Sequence, residues 1–520
     1  MALIQLNLLI RGWRNGHAVW RNRPDEPFTS SKMSSLISSS SPESTDMDVQ
    51  MSRVVPDGGY GWIVVAAVAL INMTNQSILS VFGQLFVGEL QQMQGDSFTA
   101  ALITNLNSLA LNFSGLFIGP AIKSFKPRNV ATTGCVLVSL GLALCAFATE
   151  SWHFIVGYSF FVGFGLGLIS PSTFMAINSY FSSKRGRAVG VSLAGAGLGQ
   201  VLIPHLVRYL LENHGFRYAV LAMSTLSLTG LFGAAFLKPL NPPAKHNNRR
   251  HIRLLAEADG EKTQSTALQV VIVPSNQSKS ETSPPKTDTL CSRMGQRLVQ
   301  AMDLELLKDL VFWSIIVGMA LVYTATINFT MIFPGFLGQS AGLNSQMVAF
   351  CMSLVAGADI VCRLLLPIIT DQLRIPYRVV FLIGIAGLFV ARCVLAQYQA
   401  LPVIISMSVL TGMMKSATVI NNNLTISAHC RSEKLAGGLG LSMMSKGVIV
   451  ITVGQLLGWV RDYADSYVIC LYVQGAILLL VVLVWTPEIF YRHRRQRRAT
   501  TKSMETQSVD APEEVTKLNS

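Results

Sequence analysis

The sequence predicts an all-α membrane protein of twelve transmembrane helices in two six-helix halves, with both termini cytoplasmic. Three observations lead there. Half of the 520 residues are hydrophobic and only 13% are charged, with a mean hydropathy of +0.44, whereas soluble domains carry about 25% charged residues. Apolar runs of about 20 residues, enough to cross a hydrocarbon core of roughly 30 Å, recur along the chain. These runs fall into two groups of six around a long polar interval.

The first six spans cover roughly 60–83, 99–122, 128–148, 153–178, 188–211 and 217–238. The second six cover roughly 310–336, 346–369, 377–397, 402–426, 435–459 and 466–486. The chain therefore divides into an N-terminal segment (1–55), a six-helix half (56–238), a linker (239–309), a second half (310–486) and a tail (487–520). The three polar segments are rich in Ser, Pro, Lys and Arg and are expected to be disordered and cytoplasmic. The opening MALIQLNLLI is too short to span and precedes its basic residues, so it does not read as a cleaved signal. Met33, Met47 and Met51 leave the translation start open.

Charge sets the orientation. The loop after span 2 holds Lys123, Lys126 and Arg128, and the loop after span 4 holds Lys184, Arg185 and Arg187. Arg374 and Arg378 follow span 8, Arg431 and Lys434 follow span 10, and the tail opens YRHRRQRR. The alternate loops are poor in Lys and Arg; the first carries only Glu89 and Asp96. Lys and Arg accumulate on the cytoplasmic side, and an even number of spans agrees with two cytoplasmic termini. The net charge of +13 is then mostly a topology signal. Basic residues scattered over many loops do not make a nucleic-acid surface.

Several function classes drop out. Six of the eight cysteines fall in spans, and Cys291 and Cys430 lie on the cytoplasmic side, so no extracellular pair is available for a disulfide. There is no Gly-x-x-x-x-Gly-Lys-Ser/Thr phosphate loop and no His-Glu-x-x-His. No metal or cofactor is expected, and no nucleophile–base constellation points to an enzyme.

The halves look related. Span 5 is entered as Arg187-Ala188-Val189-Gly190-Val191-Ser192 and span 11 as Leu435-Ala436-Gly437-Gly438-Leu439-Gly440. Pro120 and Pro367 close spans 2 and 8, and basic residues follow both. Weak internal symmetry of this kind marks transporters with a site between repeats. Small residues of span 5 (Gly190, Ala194, Gly195, Gly197, Gly199) permit close helix approach.

Charges at mid-depth locate the candidate site. Residues 354–367 read LVAGADIVCRLLLP, placing Asp359 and Arg363 inside an apolar run. They are i and i+4, on one helical face and about 6 Å apart along the axis. Each central charge costs about 2.5–3.5 kcal/mol on insertion scales, so such residues face a cavity or a partner. While ionised, Asp359 occupies the guanidinium. Once protonated, it frees Arg363 to hold a substrate carboxylate in a two-pronged pair, so that a proton and an anion move together. Lys415 and Lys446 sit near the middles of spans 10 and 11. Arg363, Lys415 and Lys446 against Asp359 leave a formal surplus of two positive charges, which favours an anionic substrate. Arg392, near an outer helix end, is read as snorkelling. Polar stripes complete the candidate lining: Asn72, Gln76 and Ser80; Asn105, Ser108 and Asn112; Lys415, Thr418 and Asn422. Tyr323 and Thr330 are candidates from span 7.

Two stretches carry a resemblance to a known family. Pro56-Asp57-Gly58-Gly59-Tyr60-Gly61-Trp62 resembles the signature opening helix 1 of the monocarboxylate transporter family, within the major facilitator superfamily. YFSSKRGRAVGVSLAGAGLG, with Lys184, Arg185 and Gly195, resembles the second signature, entering helix 5. The resemblance covers about 55–490. Physically, Asp57 suits the positive end of a starting helix and can cap free N–H groups, while Tyr60 and Trp62 suit the headgroup interface. The resemblance implies that spans 1, 2, 8, 10 and 11 line a central cavity and that spans 3, 6, 9 and 12 lie outside. In proton-coupled members an Asp-x-x-x-Arg of helix 8, matched here by Asp359 and Arg363, is assigned to proton and carboxylate binding. Those members also carry a lysine in helix 1. This chain has none between Arg53 and Lys123, and the equivalent place is near Ser77–Ser80. Members without that lysine move amino acids, thyroid hormones, creatine or carnitine.

The expected function is a multi-pass plasma-membrane secondary transporter of monocarboxylates, lactate- or pyruvate-like, working by alternating access, with the proton as candidate coupling ion. A facilitative carrier of an aromatic amino acid, creatine, carnitine or a thyroid-hormone-like solute is the alternative. A non-transporting membrane sensor is the third reading. The resemblance also suggests a single-span glycoprotein chaperone, as some members need.

Overall fold

A membrane leaves buried backbone groups no water to bond, so long apolar runs must satisfy them within helices. In the computed structural model, which describes residues 57–93, 97–238, 302–464 and 466–509, every element among the described residues is helical. The expected N-terminal segment and most of the linker lie outside the described residues. Helices α1 (Tyr60–Gln92), α2 (Thr99–Ser124), α3 (Pro127–Ala146) and α4 (Ser151–Tyr180) are followed by one 52-residue stretch, Arg185–Phe236. It breaks at Gly215, whose φ of 77° and ψ of 176° suit glycine and no helix, and so supplies α5 and α6. The second half comprises α7 (Leu310–Ser340), α8 (Ser345–Gln372), α9 (Tyr377–Gln397), α10 (Leu401–His429), α11 (Leu435–Ala464) and α12 (Tyr467–Val509). Among the described residues, eleven long apolar stretches, one of them double, make the twelve expected spans.

Two helices are capped by their own sequence. Asp309 accepts from the Val311 N–H at 2.9 Å to start α7, and Asn344 accepts from the Met347 N–H at 2.9 Å to start α8. Span α1 is not uniform: residues Gln76–Val81 tighten to a 3-10 helix between two α-helical pieces. That interruption falls where the helix 1 lysine is missing.

The tail departs from expectation. Helix α12 continues to Val509, past the expected end near 486. Arg378 of α9 donates to both Glu488 oxygens, at 2.9 and 2.7 Å, and its guanidinium lies over the Trp485 ring. The polar run that follows is rich in residues with good helix propensity, so polarity alone misread it as unstructured.

The halves meet along two seams, α5 against α8 and α2 against α11. Small residues set the first. A Cβ at Gly190 would meet the Arg363 carbonyl and Pro367 of α8, and a Cβ at Gly195 would meet the Ala69 backbone of α1. Helix α5 thus lies close to both α1 and α8, the approach its glycines were expected to allow.

Candidate functional site

Helix α8 presents Asp359 and Arg363 on one face, as the four-residue spacing requires. Arg363 Nε donates to Asp359 Oδ1 at 2.9 Å and Nη2 donates to Oδ2 at 2.8 Å. Both residues are buried, 3% and 5% exposed. The third contact crosses between halves: Arg363 Nη1 donates to the Leu193 carbonyl of α5 at 2.8 Å. Lys415 Nζ stands 3.7 Å from Asp359 Oδ2, so the carboxylate lies between two cations.

Arg363 also lines a cavity of about 380 Å³ between the halves. Asn72, Gln76, Asn112, Tyr323, Asn422 and Lys446 from the expected set line it too. Asn72 spends its amide N–H on the Ser192 carbonyl at 3.0 Å, and Asn112 spends its own on Ser108 at 2.8 Å. Lys446 Nζ lies 5.5 Å from the Tyr323 ring centroid. Lys446 is 9% exposed and has no ion-pair partner among the described residues. A cation–π contact is worth about 0.5–2 kcal/mol, less than the roughly 2.5–3.5 kcal/mol that a mid-membrane lysine costs. Tyr323 alone does not explain the lysine.

Other expected residues lie elsewhere. Asp359 and Lys415 are behind Arg363, not in the cavity wall. Asn105 is exposed and does not line the cavity; its neighbour Asn107 is buried, donating to the Tyr158 carbonyl at 2.7 Å. Ser80 and Thr330 are exposed, and Thr418 packs against Gly384 of α9. Arg392 does not snorkel: it is 2% exposed, donates to the Ala325 carbonyl at 3.0 Å and lies over Phe329. Its position near a helix end hid that α7 covers it.

The lining also reaches beyond the expected helices. Helix α4 contributes Ser170, Thr173 and Phe174, and α5 contributes Ser192, Ala196 and Gln200. The last three are spaced i, i+4, i+8, a face legible in the sequence. Helices α3, α6, α9 and α12 contribute nothing to this cavity, as the resemblance implies.

The two signature stretches dock onto each other, away from the cavity. Asp57 does not cap its own helix. Its Oδ1 accepts from the Ser182 and Ser183 N–H groups at 2.6 and 3.0 Å, in the turn before α5. Burial alone would raise its pKa, but these amide donors hold the carboxyl below the usual range. Gly58 leaves open space, while Gly59, at φ 58°, takes the left-handed turn into α1. Gly61 lets Phe181 approach, Trp62 meets Phe181 edge-on at 5.2 Å, and Tyr60 sits 6.0 Å from Tyr180.

At the end that carries the basic loops, two contacts bridge the halves and a third ties the first half to the end of the linker. Lys123 pairs with Asp303 at 2.6 Å. The Arg187 N–H donates to Asp371 Oδ2 at 3.1 Å, with its guanidinium 3.8 Å away. Arg185 reaches Ser427 of α10 at 3.4 Å. Lys184 meets only Asp57, through its backbone N–H at 3.5 Å, among these contacts.

A buried acid–base pair thus stands beside a cavity between two six-helix halves. Residues 65–454 match the family model described as Major Facilitator Superfamily. The chain belongs to that superfamily. Within it, the chain groups with the monocarboxylate transporter family, at low identity. It is 26% identical to rat monocarboxylate transporter 13, over 84% of this chain and 91% of the relative. It is 23% identical to human monocarboxylate transporter 14, over 82% and 90%. The fold is also that of the proton:xylose symporter XylE, with a TM-score of 0.60 at 13% identity, covering 82% of this chain and 94% of that one. The protein is thus a multi-pass membrane transporter of small molecules and not an enzyme.

Proposed function

We propose that this transporter moves monocarboxylates across the plasma membrane by alternating access, with a proton carried on Asp359. The observation that carries the reading is the double occupation of Arg363. Its guanidinium lines the cavity while Asp359 holds two of its donors and the α5 carbonyl a third. Protonating Asp359 weakens the charged pair, raises the positive charge facing the cavity and frees donors for a substrate carboxylate. The relatives named monocarboxylate transporters support the substrate class. The basic loops support cytoplasmic termini, so the bridged end is the cytoplasmic one and the cavity belongs to an outward-facing state. The test is uptake of labelled lactate, pyruvate and butyrate into proteoliposomes at two external pH values. Uptake driven by an inward proton gradient is expected, and its absence for every carboxylate removes the proposal.

A second reading has its own observation. Gln76, in the 3-10 segment of α1, lines the cavity near the place where proton-coupled relatives carry a lysine. A facilitative carrier of an aromatic amino acid, creatine, carnitine or a thyroid-hormone-like solute is the corresponding function. Uptake of one of these that ignores the proton gradient selects it.

A further inference from the structure

Of the two cations in the cavity wall, one has a resident counterion and one does not. Arg363 is held by Asp359. Lys446 is buried, faces the Tyr323 ring and has no carboxylate partner among the described residues. Among the described residues, no Asp or Glu side chain lines the cavity. The neutral groups come mostly from the other half: Gln76 of α1 and Gln200 of α5 line it, and their side-chain amides make no hydrogen bond among the described residues.

We infer that Lys446 is the anion anchor of this cavity, and that the cavity takes simple carboxylates in preference to zwitterions. This rests on the transport reading above. A substrate carboxylate completes the ion pair that Lys446 lacks. Arg363 assists: three of its five N–H donors are spent and two remain, and protonation of Asp359 releases more. The polar end of the substrate turns to Gln76 and Gln200, which can bond a hydroxyl or keto oxygen. A substrate ammonium meets only neutral oxygens there, and it stands near two cations with no acidic side chain in the wall to receive it. Lysine at this position thus serves where helix 1 offers a glutamine.

Lactate, alanine and lactamide make a matched test, since they differ in charge at one group each. The full-length protein in proteoliposomes is assayed with labelled lactate, pyruvate and butyrate, with alanine and lactamide as competitors. Lys446→Gln is expected to raise KM for the carboxylates by about tenfold or more, with kcat changed by less than about threefold. Lys446→Arg is expected to recover most of the lost affinity, and the pH dependence of uptake is expected to persist in both. Melting temperatures with and without lactate give a second readout: lactate is expected to stabilise the wild type and Lys446→Arg but not Lys446→Gln. Should Lys446→Gln not fold, Lys446→Met carries the same comparison with KM raised, and in the wild type lactamide, which lacks the carboxylate, is expected to compete far more weakly than lactate. An unchanged KM in Lys446→Gln, or alanine competing as well as lactate, overturns the inference while leaving carboxylate transport standing. A wild type that takes up no carboxylate overturns both.

Discussion

Asp359 grips Arg363 through both carboxylate oxygens, one helical turn away on α8, and the same guanidinium reaches across to the Leu193 carbonyl of α5. Proton state, substrate charge and the seam between the halves therefore meet on one side chain. Asp359→Asn keeps the shape and removes the carboxylate that would carry the proton. Proton-driven accumulation of lactate is expected to collapse to equilibrium, while exchange of internal for external lactate persists. Parallel accumulation and exchange assays at two pH values check this; an Asn variant that still accumulates lactate with the gradient removes Asp359 from coupling.

Asp359→Ala asks for more. It leaves the buried Arg363 without its carboxylate, and breaking a buried pair costs about 3–5 kcal/mol. The Ala variant is expected to melt well below the Asn variant, because Asn retains an acceptor for one guanidinium N–H. Thermal unfolding of the two purified proteins decides it.

Asp57 gives a prediction with a pH sign. Its carboxyl is held below its ordinary range by the Ser182 and Ser183 amides, against the effect of burial. A group depressed in the folded state stabilises above its unfolded pKa of about 3.9, and that contribution is lost as pH falls through the folded value. Asp57→Ala removes a cap and is expected to cost about 0.5–2 kcal/mol near neutral pH. The gap between wild type and variant is expected to close in acid, below about pH 4. Melting curves across pH test both parts.

Much of this was legible because the bilayer enforces it. Twelve helices follow from apolar length, and the Asp359–Arg363 contact follows from four-residue spacing on a helix. What the spacing could not supply was which neighbour covers each face. Asn105 and Asn107 are two residues apart, yet only Asn107 meets the backbone of α4. Thr418 belongs by spacing with Asn422, but Gly384 of α9 admits it to the outer packing. Asp57 reads as a helix cap, which it is, though for the turn before α5.

The bridge at the basic-loop end predicts a conformational bias. Asp371 accepts from the Arg187 N–H and stands near its guanidinium, tying α8 to the start of α5. Asp371→Asn weakens that tie without adding bulk. The equilibrium is expected to shift toward opening at this end, so a cysteine placed at Ser427 is labelled faster by a maleimide added from the basic-loop side. Equal labelling rates with and without Asp371→Asn count against the tie.

Arg392 separates structural charge from functional charge. It is buried against α7, donates to the Ala325 carbonyl, and its Nη1 has no hydrogen-bond partner among the described residues. It lies outside the cavity wall. Replacing a buried, incompletely satisfied charge with an apolar side chain of similar length is often neutral or stabilising, by about 1–4 kcal/mol. Arg392→Met is therefore expected to keep lactate KM unchanged and to hold or raise the melting temperature. Lys446→Met, by contrast, is expected to raise KM sharply. If Arg392→Met instead loses uptake while remaining folded, then α9 takes part in transport, and the division between cavity helices and outer helices fails at this position.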